Sequence, residues 1–318
     1  MKDAAEVVSR VVGAVRTKAS RCLALRRTWA VLSRDLLALL AGLRPAVMLD
    51  YIADGPEDAL CQLAAEVASF GPCLPGTPGV QLAVVENDGC CYMVRPDLLA
   101  ARAADTSAVR WIAFATTGDS TCCRWADKAE CEAVHKELLA VVEALHEFCM
   151  LGDGAKDKAF RMGACSGAPI LPSLNGWLLG YPVAYLVDAA NVDAAASWLS
   201  SADLALYRVM TPCAPLQEVL NRTGRLNAAS RADIDILCSF TVPAALLASG
   251  GDSLEEHLQR WLEGVSSTAR NQAVASCSNS AALFYRVSME KLKGVQHTGQ
   301  PRVLASALTR CIVFIDRC

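Results

Sequence analysis

The chain is short of the signatures that announce chemistry. No G-x-x-x-x-G-K-[ST] loop is present to wrap a phosphate in backbone amides: 152–156 (GDGAK) holds Gly and Lys without that spacing, and no strand leads into it. No G-x-S-x-G elbow raises a serine, since 165–169 (CSGAP) lacks the flanking pattern. None of the fifteen cysteines stands in a C-x-x-C pair, and histidines number four. That excludes the common structural-zinc frameworks. No secretory apolar region opens the sequence. Nor is any apolar run suited to cross a membrane. Residues 22–43 are interrupted by Arg26, Arg27, Arg34 and Asp35, and 177–187 is short and carries Pro182. Lys and Arg dominate no long stretch of the body and the net charge is −3, so the basic face expected of a nucleic-acid binder is missing.

What is there is apolar and alanine-rich. The 318 residues are 53% hydrophobic and 20% charged, enough to fill the core of one large or two ordinary domains. The cysteine count is odd and includes the adjacent pairs Cys90-Cys91 and Cys122-Cys123, which neighbours in sequence rarely bridge. Most cysteines therefore read as small buried hydrophobes in a reducing compartment, the cytoplasm. The first 34 residues hold eight Lys/Arg against Asp3 and Glu6. This reads as an amphipathic leader helix; the alternative is a mitochondrial transit segment.

Along the chain, 4–19 and 22–43 read as helices, with Val7, Val11, Val12 and Val15 on one stripe of the first. Pro45 ends the second, and Val47–Asp50 follows as a short buried strand. Residues 57–69 form a helix with Leu60, Ala64 and Val67 on one face, and Pro72–Gly79 is a loop. Val80–Glu86 and Cys90–Pro96 flank Asn87-Asp88-Gly89 as a hairpin, because Asp-Gly supplies the positive φ of a tight turn. Arg110–Thr116 is a strand. Asp127 caps a helix, with Glu130 placed for a capping box and Cys131, Val134, Leu138, Val142, Leu145 and Cys149 as its core stripe. A long loop spans 152–172. Then follow a helix ending at Gly180, a strand after Pro182, a helix at 191–200, strands at 204–211 and 235–243, a helix at 254–265 opened by a Ser253–Glu256 box, and a strand at 281–289. The alternation predicts an α/β protein: a single domain with a mixed β-sheet flanked by helices on both faces. The expected boundaries are an N-terminal helical extension at 1–40, the domain at 41–295 and a tail at 296–318.

Candidate chemistry is sparse. Asp50 and Glu86 end strands, where open α/β sheets bind ligands, and two carboxylates there suit cation binding or acid–base work. Ile52 stands where the haloacid-dehalogenase pattern needs a second Asp. The plainer readings are a turn acceptor for Asp50 and a solvated hairpin residue for Glu86. Cys123, Cys131 and His135 are the metal-like alternative: Cys131 and His135 are i, i+4 on one helix, but no fourth ligand of suitable spacing completes a zinc site, so no metal and no cofactor is expected. Asn175, Tyr181 and Arg270 are polar candidates for ligand binding. Their plainer roles are packing with a backbone anchor for Tyr181, and a solvated helix end for Arg270.

Three segments carry a family resemblance. Trp177–Leu186 (WLLGYPVAYL) reads as helix, hard turn and buried strand, since Gly180 accepts left-handed dihedrals and Pro182 forbids its neighbour a helical one. Arg44–Asp50 is a first strand, and Leu237–Pro243 a last central strand followed by a helix containing Trp261. In order and spacing these resemble the eukaryotic uncharacterised protein family UPF 0739, over about residues 30–295. The sequence departs from that pattern in its N-terminal segment, near 152–172 and 212–232, and after Val295. The resemblance implies a soluble α/β protein and no reaction. Two functions follow as expectations. One is a scaffold or interaction module that binds a protein partner without catalysis. The other is a hydrolase or transferase with its site at the strand ends near Asp50, Glu86 and the Gly180-Tyr181-Pro182 turn.

Overall fold

Valines at helical spacing make one side of the first helix uniformly apolar, and burial of that side organises the N-terminal half. In α1 (Ala4–Arg21), Val7, Val11, Val12 and Val15 are at most 3% exposed. They pack against α2 (Leu25–Leu40), α3 (Glu57–Ala68) and α8 (Ala214–Arg222). Full burial of one such side chain contributes about 1.5–3 kcal/mol before entropy is counted. The computed structural model describes residues 4–21, 25–49, 57–71, 79–117, 120–151, 158–162, 171–222, 235–274 and 287–292. Asp50, most of the loops expected at 72–79 and 152–172, residues 281–286 of the last expected strand and the tail at 296–318 lie outside them.

Ten strands are described, in three hydrogen-bonded sheets. The first is ordered β1 (Ala46–Met48), β3 (Cys90–Val94), β2 (Ala83–Asn87), β6 (Phe160–Arg161), and only the β2–β6 pair is parallel. The second is β5 (Ser120–Trp125), β4 (Arg110–Thr117), β7 (Val183–Leu186), antiparallel and then parallel. The third is β10 (Ser288–Leu292), β8 (Leu204–Met210), β9 (Ile236–Pro243), all antiparallel. The expected hairpin is present: Asp88 (φ 47°) and Gly89 (φ 78°) form its turn between β2 and β3.

The α/β class holds, while the single expected sheet is divided in its hydrogen bonding. The first two sheets nevertheless act as one layer. Alternate residues of their strands point to the same two cores, as the two-residue period of a strand requires. Val47, Met93, Ile112 and Val183 face one core, with α1, α2 and α3. Ala46, Tyr92, Val94, Trp111 and Ala184 face the other, with α4 (Pro96–Ala104), α5 (Lys128–Met150) and α6 (Leu171–Leu178). The third sheet closes the first core with Tyr207, Val209, Phe240 and Val242. A smaller cluster joins Phe114 and Val187 to α7 (Val192–Ser201).

Two local expectations resolve differently from each other. Asp127 caps α5 in a reciprocal capping box with Glu130, as its spacing predicted. Ser253 does not open a helix, because α9 runs unbroken from Ala244 to Val274. Ala244–Ala248 are strong helix formers directly after Pro243, and Leu246, Leu254 and Leu258 are all buried in the first core. That burial outweighs the roughly 1 kcal/mol that each of Gly250 and Gly251 costs in a helix interior.

Arg34 and Asp35, two of the charges that interrupt the apolar run 22–43, are buried, as is Arg44 just beyond it. Arg34 holds Asp35 (2.9 Å through Nε) and donates to the Ile236 carbonyl (2.5 Å), while Arg44 donates to the Leu237 carbonyl (3.0 Å). Two guanidinium groups thus pin α2 and the start of β1 to the first residues of β9.

Because α1 shares a core with the rest of the chain, Val11→Asp should lower stability by about 3 kcal/mol or more, by burying an unpaired charge. Ser9→Ala, on the exposed side, should stay within about 0.5 kcal/mol. Urea unfolding followed by circular dichroism measures both; an unchanged midpoint for Val11→Asp would show that α1 is dispensable.

Candidate functional site

The GYPV turn is a helix C-cap whose carbonyls are all taken. After α6, the Gly180 amide donates to the Trp177 carbonyl (3.1 Å) and the Tyr181 amide to the Gly176 carbonyl (3.0 Å). This is the paired Schellman pattern, with Gly180 at φ +80° in the left-handed position. Glycine is needed there twice over: a β-carbon would also stand 2.7 Å from Cδ of Pro45.

The turn then presents a row of carbonyls pointing inward, each of which loses its water partners on burial. Arg102, near the end of α4, donates Nε to Trp177 (3.0 Å) and Nη2 to Tyr181 (2.5 Å). Trp261 of α9 donates its indole N–H to Gly180 (3.1 Å). The Pro182 carbonyl accepts from the Arg110 amide (2.9 Å) and from Nε2 of His257 (2.8 Å). Burial brings the Arg102 pKa down to about 10, which leaves it charged at neutral pH. His257 is held below the ordinary histidine value of 6.5, first by burial and then by the cations Arg110, Arg260 and Arg102, against the raising effect of its bond to Pro182. The neutral ring must carry its proton on Nε2 to donate to a carbonyl.

The polar candidates take up separate structural duties. Asn175 accepts from the hydroxyl of Tyr92, which is completely buried. The Tyr181 ring packs 5.9 Å from Phe240, which in turn stacks on Tyr207 at 5.3 Å. Glu86, the last residue but one of β2, accepts from the Gly89 amide (3.0 Å) and pairs with Arg161 (3.2 Å). Arg161 also holds Glu57 (2.9 Å). Across from Glu86 in register lies Cys91, whose thiol is pushed up by burial, then by Glu86 and Glu57. Strand alternation puts Glu86 and Cys91 on one face of the sheet and Tyr92 with Asn175 on the other. Arg270 is exposed on α9, two and a half turns beyond Trp261, so about 13 Å along the helix axis. Asp50 lies outside the described residues. Glu86, Asn175 and Arg270 therefore do not converge, and only Asn175 and Tyr181 belong to the turn region.

Cys131 and His135 do come together. Both line a cleft of about 270 Å³ between α4, α5 and the helix that leads into the turn. Val109, Trp111, Leu138 and Trp177 line it together with Arg102, Asp105, Lys128 and Glu132. Cys123 is elsewhere, across from Phe114 on β5 and packed against the first and third cores. Among the described residues, no group of three or more His, Cys, Asp or Glu is placed to hold a metal ion. Burial raises the Cys131 thiol, and Glu130, Asp127 and Glu132 raise it further.

Sequence reasoning missed Arg102, His257 and Arg110. One local signal was available: Pro96 at the first position of a helix marks α4 and so places Arg102 near its end. Nothing local links that end, or α9, to a turn some 75 residues away in sequence.

Gly180→Val should cost about 2 kcal/mol or more, from left-handed strain and the Pro45 clash together. A urea midpoint equal to the parent protein's would remove the geometric basis of the turn. The depressed His257 pKa sets a second expectation. The unfolded chain binds a proton near pH 6.5 and the folded chain only below that, so the stabilising effect of neutral His257 is complete above pH 6.5. It is lost as pH falls from 6.5 through the lower folded value. The acid-side drop in the urea midpoint should be smaller in His257→Gln than in the parent; equal drops would defeat this assignment.

The comparisons with known proteins agree with a family that lacks assigned biochemistry. No curated protein and no solved structure matches the chain. The family model described as a domain of unknown function, DUF4504, matches residues 15–292 and so takes in α2 to β10, the clamped turn and the cleft. The chain belongs to the DUF4504 family.

Proposed function

We propose that this chain is an interaction module that binds a protein partner and carries out no catalysis of its own. The observation that carries this reading is the exposed apolar pair Met150 and Leu151 at the end of α5, and the Cys131 thiol weighs against catalysis. A thiol and an imidazole at i, i+4 in one cleft is the arrangement a cysteine nucleophile needs, yet three carboxylates and burial favour the protonated thiol. An activated nucleophile needs the opposite electrostatics.

The hydrolase or transferase reading draws less support. Glu86 shares Arg161 with Glu57 and stands on the face of its sheet opposite to Asn175, and the turn's carbonyls are already bonded. Met150 and Leu151, 71% and 74% exposed at the end of α5, offer an apolar contact for a protein partner. No described helix is long and apolar enough to cross a membrane. Among the described residues, Cys91, Cys122, Cys123, Cys131, Cys149, Cys213 and Cys238 stand as thiols outside any disulfide, which supports a reducing compartment such as the cytoplasm, with the mitochondrial matrix as the alternative suggested by the Arg-rich start.

Alkylation by iodoacetamide, read at Cys131 by peptide mass spectrometry, tests the reading. The rate should be low at neutral pH and rise about tenfold per pH unit without levelling off before pH 9, the ordinary thiol value. Fast alkylation with little pH dependence between about pH 6 and 8 would reveal a thiolate–imidazolium pair and sink it.

A further inference from the structure

We propose that Ser253 is a phosphorylation site for a serine kinase that reads acidic residues after its target, and that Arg110 receives the phosphate. The site stands apart from the partner-binding reading and does not rest on it.

The sequence marks the serine first. Ser253 is followed by Glu255 and Glu256, and it alone among the serines and threonines of the chain has acids at both the second and the third following positions. Charge patterns of this kind are what kinases read in their substrates. Ser253 is exposed on α9, two residues after Gly250-Gly251. A substrate segment must open to lie extended in a kinase cleft, and the two glycines make the helix weakest just before the serine.

The structure holds a receiver for the product. Arg110, the first residue of β4, donates Nη1 to the Ser253 hydroxyl (3.1 Å), and its guanidinium lies 4.0 Å over the Trp125 ring. Among the described residues, no carboxylate forms an ion pair with Arg110. Burial holds its pKa below the ordinary guanidinium value, and no acid raises it back. Arg110 is thus a cation partly stripped of water and without a counter-charge. His257, one helical turn after Ser253, stands in the field of Arg110, Arg260 and Arg102, with Asp105 as the opposing acid. Glu255 and Glu256 oppose a phosphate from its own helix, but both are exposed, so water and salt screen them.

A phosphoserine carries about −1.5 to −2 charges and three acceptor oxygens. The hydroxyl oxygen attacks the γ-phosphorus of ATP and the bond to the β–γ bridging oxygen breaks. ADP leaves, and the hydroxyl proton passes to the kinase's catalytic base. Set on Oγ, the phosphate oxygens come within reach of the planar fork of Arg110, which phosphate can engage through two parallel bonds. The product ties α9 to β4 beside the turn, where the Arg110 amide and His257 already share the Pro182 carbonyl.

The test incubates the full chain with ATP, Mg²⁺ and casein kinase II, a kinase of this acidic specificity, beside a peptide spanning Gly250 to Trp261. Peptide mass spectrometry should place phosphate on Ser253 of the folded chain, and Ser253→Ala should lose most of the incorporated phosphate. Phosphorus NMR then reads how the phosphate is held. Its second ionisation, ordinarily at about pH 6, should fall below that value in the parent, because a contacting cation favours the dianion. Arg110→Gln, which keeps the backbone amide on Pro182, should return it to the ordinary value. Absence of phosphate from Ser253 of the folded chain, under conditions that fully modify the peptide, overturns the site; failure of the peptide itself does the same. A parent ionisation at or above the ordinary value overturns Arg110 as the receiver. So does a lowered value that persists in folded Arg110→Gln. If that variant does not fold, the parent's titration decides alone.

Discussion

The signature turn depends on one constraint: a chain that stops a helix in the interior must find donors for the carbonyls it exposes there. Water supplies them at a surface, and here side chains do. Arg102, Trp261 and His257 reach the carbonyls of Trp177, Gly180, Tyr181 and Pro182, and the Arg110 amide adds a fourth donor. Each such bond is worth only about 1 kcal/mol net, but leaving a buried carbonyl bare costs about 1–3 kcal/mol. The arrangement joins α4, α9, β4 and the end of α6 at one point. It also explains why Gly180 stands against Pro45: the turn comes close enough to the start of β1 to leave no room for a β-carbon.

The same constraint governs the buried charges. The guanidinium groups of Arg34 and Arg44 end on the backbone carbonyls of Ile236 and Leu237, and Arg102 ends on those of Trp177 and Tyr181. A planar fork with several donors can satisfy two acceptors from different elements at once, which a lysine ammonium does less well. Such contacts are weak arguments for net stability, because burying the charge opposes the gain. Their effect is on position: they fix which carbonyl faces which element.

Much of this architecture was legible in the sequence wherever a pattern is local. The valine stripe of α1, the Asp127–Glu130 capping box, the Asp88-Gly89 turn and the Gly180 stop all follow from spacing and backbone chemistry, and all are present. Strand β5 was not legible: Ser120–Trp125 alternates without a clear apolar face, and its residues are mostly half-buried or exposed. The single long helix α9 was not legible either, because a capping box at Ser253 and two glycines argued locally for a break that tertiary packing overrides. The candidate site was legible only in part. Cys131 and His135 share a cleft, as their i, i+4 spacing implied. The clamp residues and the division of Glu86 from Asn175 depend on which strand lies beside which, and strand order is not encoded in any short window.

The wide sequence separation within the clamp has a consequence for the nascent chain. Residues 171–183, with the turn, leave the ribosome before His257 and Trp261 have been made. Synthesis proceeds at about 5–20 residues per second, so for several seconds the only side-chain donor available to the turn is Arg102. During that interval the Gly180 carbonyl must be held by solvent. The second core can assemble from α4, α5, α6 and the early strands, but the turn region stays open to water until α9 arrives. The family signature is therefore completed by the last helix described, and folding of the domain closes at the same place where its sequence is most easily recognised.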